Sequence, residues 1–172
     1  MLTITRKATA IAVFIFALSF ASVTFAQGEG AEFSMRAIDG ESVTSQSLRG
    51  EVAVLAFGTS WLPLTRSQLE GVKKLADQYA GKGVAVYWVS VDSDNPRSKN
   101  YVPDDQLREL ARKYKVTILR DPDGVASRKM GVDQLPSVVI LDKQGNIAAS
   151  MGGMDPNANL TTQLAARLDK IL

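Results

Sequence analysis

Two short, continuous apolar runs separated by a segment of helical spacing restrict this chain to a small set of topologies. The first run is Val52-Ala53-Val54-Leu55-Ala56-Phe57, closely following Gly50; the second spans Val84 to Val91. Each reads as a strand buried on both faces. After the first run, Gly58 to Leu62 reads as a loop, and Pro63 opens a helix, where its missing N–H costs nothing. Leu69, Val72, Ala76 and Tyr79 then recur at helical spacing as one buried stripe, widened on one side by Leu75. Gly81-Lys82-Gly83 stops the helix. Such a strand–helix–strand unit sets its two strands parallel, joined by a right-handed crossover.

The remaining segments extend this unit. Phe33 to Ile38 reads as a strand closed by the Asp39-Gly40 turn. The polar stretch Asp92 to Asp105 contains two prolines and is expected to be a surface excursion. A helix from about Pro103 to Tyr114 would bury Leu107, Leu110, Ala111 and Tyr114, and Val116 to Leu119 reads as a short strand. Asp121-Pro122-Asp123-Gly124 is a turn, followed by one or two helical turns to Met130. Ser137–Leu141 and Ile147–Ser150 are strands joined through Asp142-Lys143-Gln144-Gly145-Asn146. Asn157 to Leu172 is a closing helix with Leu160, Leu164, Leu168 and Ile171 on one face. The order predicts an α/β fold, a central mixed β-sheet flanked by helices.

The amino-terminal end carries a separate message. Arg6 and Lys7 precede an uncharged, mostly apolar run from Ala8 to Ala26, which closes on Thr24-Phe25-Ala26 with small residues at both positions that a signal peptidase reads. Residues 1–26 therefore read as a secretory signal peptide. The rival reading is an uncleaved anchor, since the run is long enough to span a bilayer. The first places the protein in the periplasm or outside the cell; the second holds it on the outer face of the cytoplasmic membrane, the one case with a membrane partner. Residues 27–32 are a short polar lead, and residues 33–172 are one domain of ordinary size.

Charge and composition exclude several functions. Without Arg6 and Lys7, basic and acidic residues balance at 18 each, so nothing resembles the basic footprint of a nucleic-acid binder. The chain has no cysteine and no histidine. Disulfides, thiol nucleophiles and a thioether-linked lipid are removed at once. Histidine's absence takes away the commonest general base and the commonest transition-metal ligand. No cofactor or metal is expected. Asp92, Asp94, Asp104 and Asp105 resemble a calcium cluster only loosely, lacking the further ligands and the bidentate Glu of a full loop, and read as a solvated loop.

The order of motifs resembles the thioredoxin fold, and more closely the periplasmic thiol–disulfide oxidoreductases of the TlpA and ResA type and the related AhpC/TSA-like redoxins. The entry matches through Asp39-Gly40 and Ser47-Leu48-Arg49-Gly50. These relatives then read Phe-Trp-Ala-x-Trp-Cys-x-x-Cys-Arg, where this chain reads Phe57-Gly58-Thr59-Ser60-Trp61-Leu62-Pro63-Leu64-Thr65-Arg66. Asp121-Pro122-Asp123-Gly124, Gly131-Val132, Leu135-Pro136 and Asp142-Lys143-Gln144-Gly145 follow in the family's order.

Carried over residue by residue, the resemblance implies loss of chemistry. The attacking cysteine falls at Leu62 and the resolving cysteine at Thr65, also the position of the peroxide-reducing cysteine in peroxiredoxins. Only a thiolate attacks a disulfide efficiently. The place that often holds a proton-shuttling group is Ala56. The resemblance also implies what survives: Pro136 is the proline that is cis in this fold, and Leu135 offers its backbone to an extended peptide. Trp61, Leu62 and Leu64 lie beside that groove. They form either an exposed apolar patch for a partner or an inward-packed replacement for lost function. Thr65 is expected to bond to backbone rather than act as a nucleophile helped by Arg66. The leading reading is an exported, redox-inactive domain that binds an extended polypeptide or protein partner at Trp61, Leu62, Leu64, Leu135 and Pro136. The alternatives are a degenerate component of a periplasmic redox or cytochrome-maturation system, lending its site to a partner's cysteines, and a purely structural subunit.

Overall fold

The computed structural model describes Gly30, residues 32–153 and residues 160–172. The signal-peptide reading and most of the polar lead lie outside the described residues. Among those described, no helix is long and apolar enough to cross a membrane. The strands are β1 (Ser34–Ala37), β2 (Ser42–Thr44), β3 (Val52–Gly58), β4 (Val84–Ser90), β5 (Ile118–Arg120), β6 (Ser137–Leu141) and β7 (Ile147–Gly152). The helices are α1 (Thr65–Gln78), α2 (Asp104–Tyr114), α3 (Val125–Lys129) and α4 (Leu160–Ile171).

The strands form one mixed sheet in the order β2-β1-β5-β4-β3-β6-β7. β3 lies parallel to β4 in the expected crossover, and antiparallel to β6. The alternation of β3 separates two cores. Val52, Val54 and Ala56 pack with Leu69, Val72 and Leu75 of α1, Leu107 of α2 and Leu160, Leu164 and Leu168 of α4. Ala53, Leu55 and Phe57 pack with Ala126 and Met130 of α3 and with Phe33 and Leu48. All seven β3 residues are buried, as an apolar run in mid-sheet requires.

Several expectations need correction. β2 escaped the sequence because three residues with a single apolar one, Val43, show no periodicity. α1 begins at Thr65, not Pro63, because residues 62–64 form a turn in which the Thr65 N–H donates to the Leu62 carbonyl at 3.0 Å. Its stripe runs through Leu69, Val72 and Leu75, with Ala76 only half-buried. β4 is fully buried only at Trp88, Val89 and Ser90, and Val91 lies beyond its end. Of the α2 residues expected inside, only Leu107 is fully buried. β5 ends at Arg120, one residue beyond the expected Leu119.

The carboxylates of the 92–105 excursion do not form one solvated group. Asp104 pairs with Arg36 of β1 at 2.9 Å and with the buried Arg120 of β5 at 3.4 Å, tying α2 to the sheet. Its hydrogen bond from Arg36 holds its carboxyl below the usual range, against a smaller opposing effect of burial. A carboxylate with a lowered folded pKa adds stability that is present above its unfolded pKa and lost as pH falls through the folded one. Asp104→Asn is therefore expected to lower the unfolding free energy by about 1 kcal/mol at pH 7, because Arg36 and Asp104 are partly exposed and water screens their pairing. In urea titrations the difference from wild type should shrink towards acid pH; a constant difference would show that packing, not charge, is lost.

The amino-terminal lead enters at a defined place. A side chain at Gly30 would meet the Gly145 carbonyl oxygen at 2.7 Å, so Gly30 itself lies against the β6–β7 turn. That turn is at the far end of β6 from Pro136.

Candidate functional site

The site begins where β3 ends. The antiparallel pairing of Phe57 with Ser137 brings the loop after Gly58 and the residues before β6 to one end of the sheet. The Leu135–Pro136 peptide bond is cis, as the resemblance implied. Pro136 is buried and Leu135 half-buried. The Leu135 main chain makes no hydrogen bond among the described residues, while the Pro136 carbonyl accepts from the Gly153 N–H at 2.8 Å. Leu135 lines a groove of about 510 Å³ together with Val91, Pro122, Val132 and Gln134.

Trp61, Leu62 and Leu64, expected beside the groove, are not among its lining residues. Trp61 is 59% exposed, whereas Leu62 and Leu64 are half-buried. The two readings of these residues thus divide: the indole projects, and the two leucines partly tuck in. Thr65 is buried, and its hydroxyl donates to the Thr59 carbonyl at 2.5 Å. Arg66 is exposed and pairs with Glu70 at 3.0 Å, one helical turn on. It therefore does not assist Thr65.

Beneath the loop are groups that the motif comparison missed. Gln68 is buried; its amide donates to the Phe57 carbonyl at 3.1 Å and accepts from the Trp88 indole N–H at 2.8 Å. A side chain at position 58, where relatives carry Trp, would meet the Gln68 Oε1 at 2.5 Å and the Trp88 ring at about 3.1 Å. Gln68 and Trp88 occupy the space that a side chain at 58 would take, so one there would displace the Gln68 amide. Ala56, beside Trp88 in the β3–β4 register, leaves the proton-shuttling place apolar. A sequence signal for Gln68 did exist: it stands four residues before Val72 and seven before Leu75, a polar residue on the buried stripe.

Asp92 is the second omission and corrects the solvated-loop reading. It is completely buried. Its Oδ2 accepts from the Ser60 N–H at 2.9 Å and from the Ser90 hydroxyl at 2.8 Å. Burial pushes its carboxyl above the ordinary range, opposed by these hydrogen bonds and by the charge of Arg120. Asp121 is also committed, accepting from the Ala126 and Ser127 N–H groups at the start of α3. Among the described residues no group of acidic side chains is arranged to hold a metal ion.

Fold and site together define a thioredoxin-like protein. The AhpC/TSA family matches residues 27–150, and the chain belongs to that family. It is similar to the thiol:disulfide interchange protein DsbE of Pseudomonas aeruginosa, 28% identical over 130 residues, covering 76% of this chain and 67% of DsbE. It is also similar to the thiol-disulfide oxidoreductase ResA of Bacillus thuringiensis, 24% identical over 79% of this chain and 75% of ResA. Among solved structures, Mycobacterium tuberculosis DsbF superposes with a TM-score of 0.65 at 25% identity, covering 83% of this chain and 97% of DsbF.

Proposed function

We propose that this chain is an exported, redox-inactive member of its family that binds an extended polypeptide or a protein partner at the former redox end of the sheet. The observation that carries the reading is the contrast at that end. Leu62 and Thr65 stand where the thiols would be, and the Thr65 hydroxyl is spent on the Thr59 carbonyl. Yet the Leu135 main chain is open for strand-like pairing beside an exposed indole. Trp61 supplies the rigid apolar area that interface anchors commonly use. Pro136, cis and buried, follows Leu135 directly, and Leu62 and Leu64 stand next to the indole in the same loop.

The test is capture of partners from the periplasmic fraction with wild type and with Leu62→Asp. Binding lost in the variant supports the groove; a partner retained unchanged supports a purely structural subunit. The purified domain is expected to leave insulin disulfides and peroxide untouched above the buffer rate with any thiol donor. Turnover in a metal-free, thioredoxin-free preparation would overturn the inactive reading. Export rests on the order Arg6-Lys7, apolar run, Thr24-Phe25-Ala26. Amino-terminal sequencing of protein from cells should find Gln27 first, whereas a species retaining Met1 in the membrane fraction would favour an anchor.

The names of the relatives favour one alternative, a component that lends its groove to a partner's cysteines in thiol–disulfide exchange. It predicts captured partners that carry reactive cysteine pairs; the leading reading does not require them.

A further inference from the structure

Asp92 is a completely buried carboxylate that the binding reading leaves unused. It stands two residues beyond β4, directly under the loop that carries Trp61. One of its oxygens holds that loop, accepting from the Ser60 N–H at 2.9 Å, one residue before the indole. The same oxygen takes the Ser90 hydroxyl at 2.8 Å, and the Asp92 N–H returns to that hydroxyl at 3.2 Å. The other oxygen, Oδ1, is buried with no hydrogen-bond partner among the described residues, and the same is true of the Thr59 hydroxyl on the opposite side of Ser60.

We propose that the Asp92 carboxylate is the positioning group for the Trp61 segment, and that its protonation state sets how firmly the exposed indole is held. When ionised, Asp92 makes a charge-assisted hydrogen bond to Ser60, roughly twice as strong as a neutral one. When a proton sits on Oδ1, the carboxyl is neutral, and Oδ2 holds Ser60 as a neutral acceptor only. The loop is then joined to the scaffold by the weaker bond, while its far end stays fixed through Thr65 and Thr59.

The charged surroundings leave the switch to Asp92 alone. Among the described residues, Arg120 of β5 is the charged group that acts on it. Arg120 is itself held by Asp104 and by the Val102 carbonyl. Asp121 is turned onto the start of α3, and Arg66 of α1 is paired with Glu70 at the surface. Burial moves the Asp92 proton equilibrium upward from the ordinary carboxylate range, so as pH falls the loosened form gains population before ordinary exposed carboxylates titrate.

The consequence for partner binding rests on the proposed function, but the switch itself is read without any partner. In a nuclear magnetic resonance titration of the wild-type domain, the Asp92 side-chain carbon and the Ser60 amide should move together with one midpoint. Over the same range Trp61 should become more accessible to acrylamide, with Trp61→Phe supplying the Trp88 background. Asp92→Asn should abolish the quenching transition and exchange its Ser60 amide about tenfold faster at neutral pH, the ratio between a charge-assisted and a neutral hydrogen bond. A Ser60 amide that stays flat, or that follows a different midpoint from the Asp92 carboxyl, overturns the proposal. The wild-type titration decides this even if Asp92→Asn does not fold. A flat titration alongside Leu62-dependent binding would sink the switch alone; a shared midpoint without partner capture would sink the binding reading alone.

Discussion

Replacing Gln68 with leucine is expected to lower the unfolding free energy by about 3 kcal/mol, although leucine suits a buried helix face. The change strands the buried Trp88 indole N–H and takes a side-chain donor from the Phe57 carbonyl. The Trp88 indole N–H and the Phe57 carbonyl both bond to this one amide and are sealed from water. An unsatisfied buried polar group costs about 1–3 kcal/mol, and the added apolar contact offsets only part of these losses. Urea unfolding of Gln68→Leu, Trp88→Phe and the double variant should show a coupling of about 1–2 kcal/mol between the two residues. Additive effects would mean that the bond seen between them contributes nothing beyond packing.

Changing Leu62 and Thr65 together to cysteine is expected to produce a weak disulfide exchanger. The Thr65 N–H closes a turn onto the Leu62 carbonyl at 3.0 Å, so the two side chains leave adjacent steps of one turn. Position 65 opens α1, whose amino-terminal partial positive charge lowers the pKa of a nearby thiol. The double variant is expected to titrate no free thiol under oxidant, two under reductant, and to reduce insulin slowly. Losing the Thr65–Thr59 hydrogen bond should cost about 1 kcal/mol of stability, small enough for folding to persist. Activity should remain below that of a working relative, because Ala56 supplies no group to move a proton. If both thiols stay free in a folded protein under oxidant, residues 61–66 are not arranged like the relatives' redox turn.

The sequence and the structure agree most closely where one physical signal dominates. The run Val52–Phe57 is apolar at every position because both of its faces are covered, and no other arrangement of such a run suits a domain of this size. The hairpin after Ser137 was equally legible, since the Asp142–Asn146 segment has turn chemistry. Legibility failed where a residue's role depends on neighbours distant in the chain. Asp92 sits in a stretch of prolines, asparagines and acids that looks soluble, yet it is buried through contacts with Ser60 and Ser90. Trp88 looked like one more core residue of an apolar strand until Gln68 gave its N–H a partner. The start of α1 was misplaced because Pro63 is an equally good residue for a turn and for a first helical position, and the Thr65 hydroxyl settles the matter by bonding backward to Thr59.

The contact between Gly30 and Gly145 also fixes an orientation. β6 runs from Ser137, beside the groove, to Leu141, beside that contact, so the sheet separates the two ends by about 15 Å at the rise of a strand. Anything that grips the chain just ahead of Gly30, whether a lipid bilayer, a fused carrier or a sensor chip, holds the molecule by its base. Trp61 and the open Leu135 main chain then point outward on the opposite side, free to be approached. Attachment through the β3–α1 loop would instead cover Trp61.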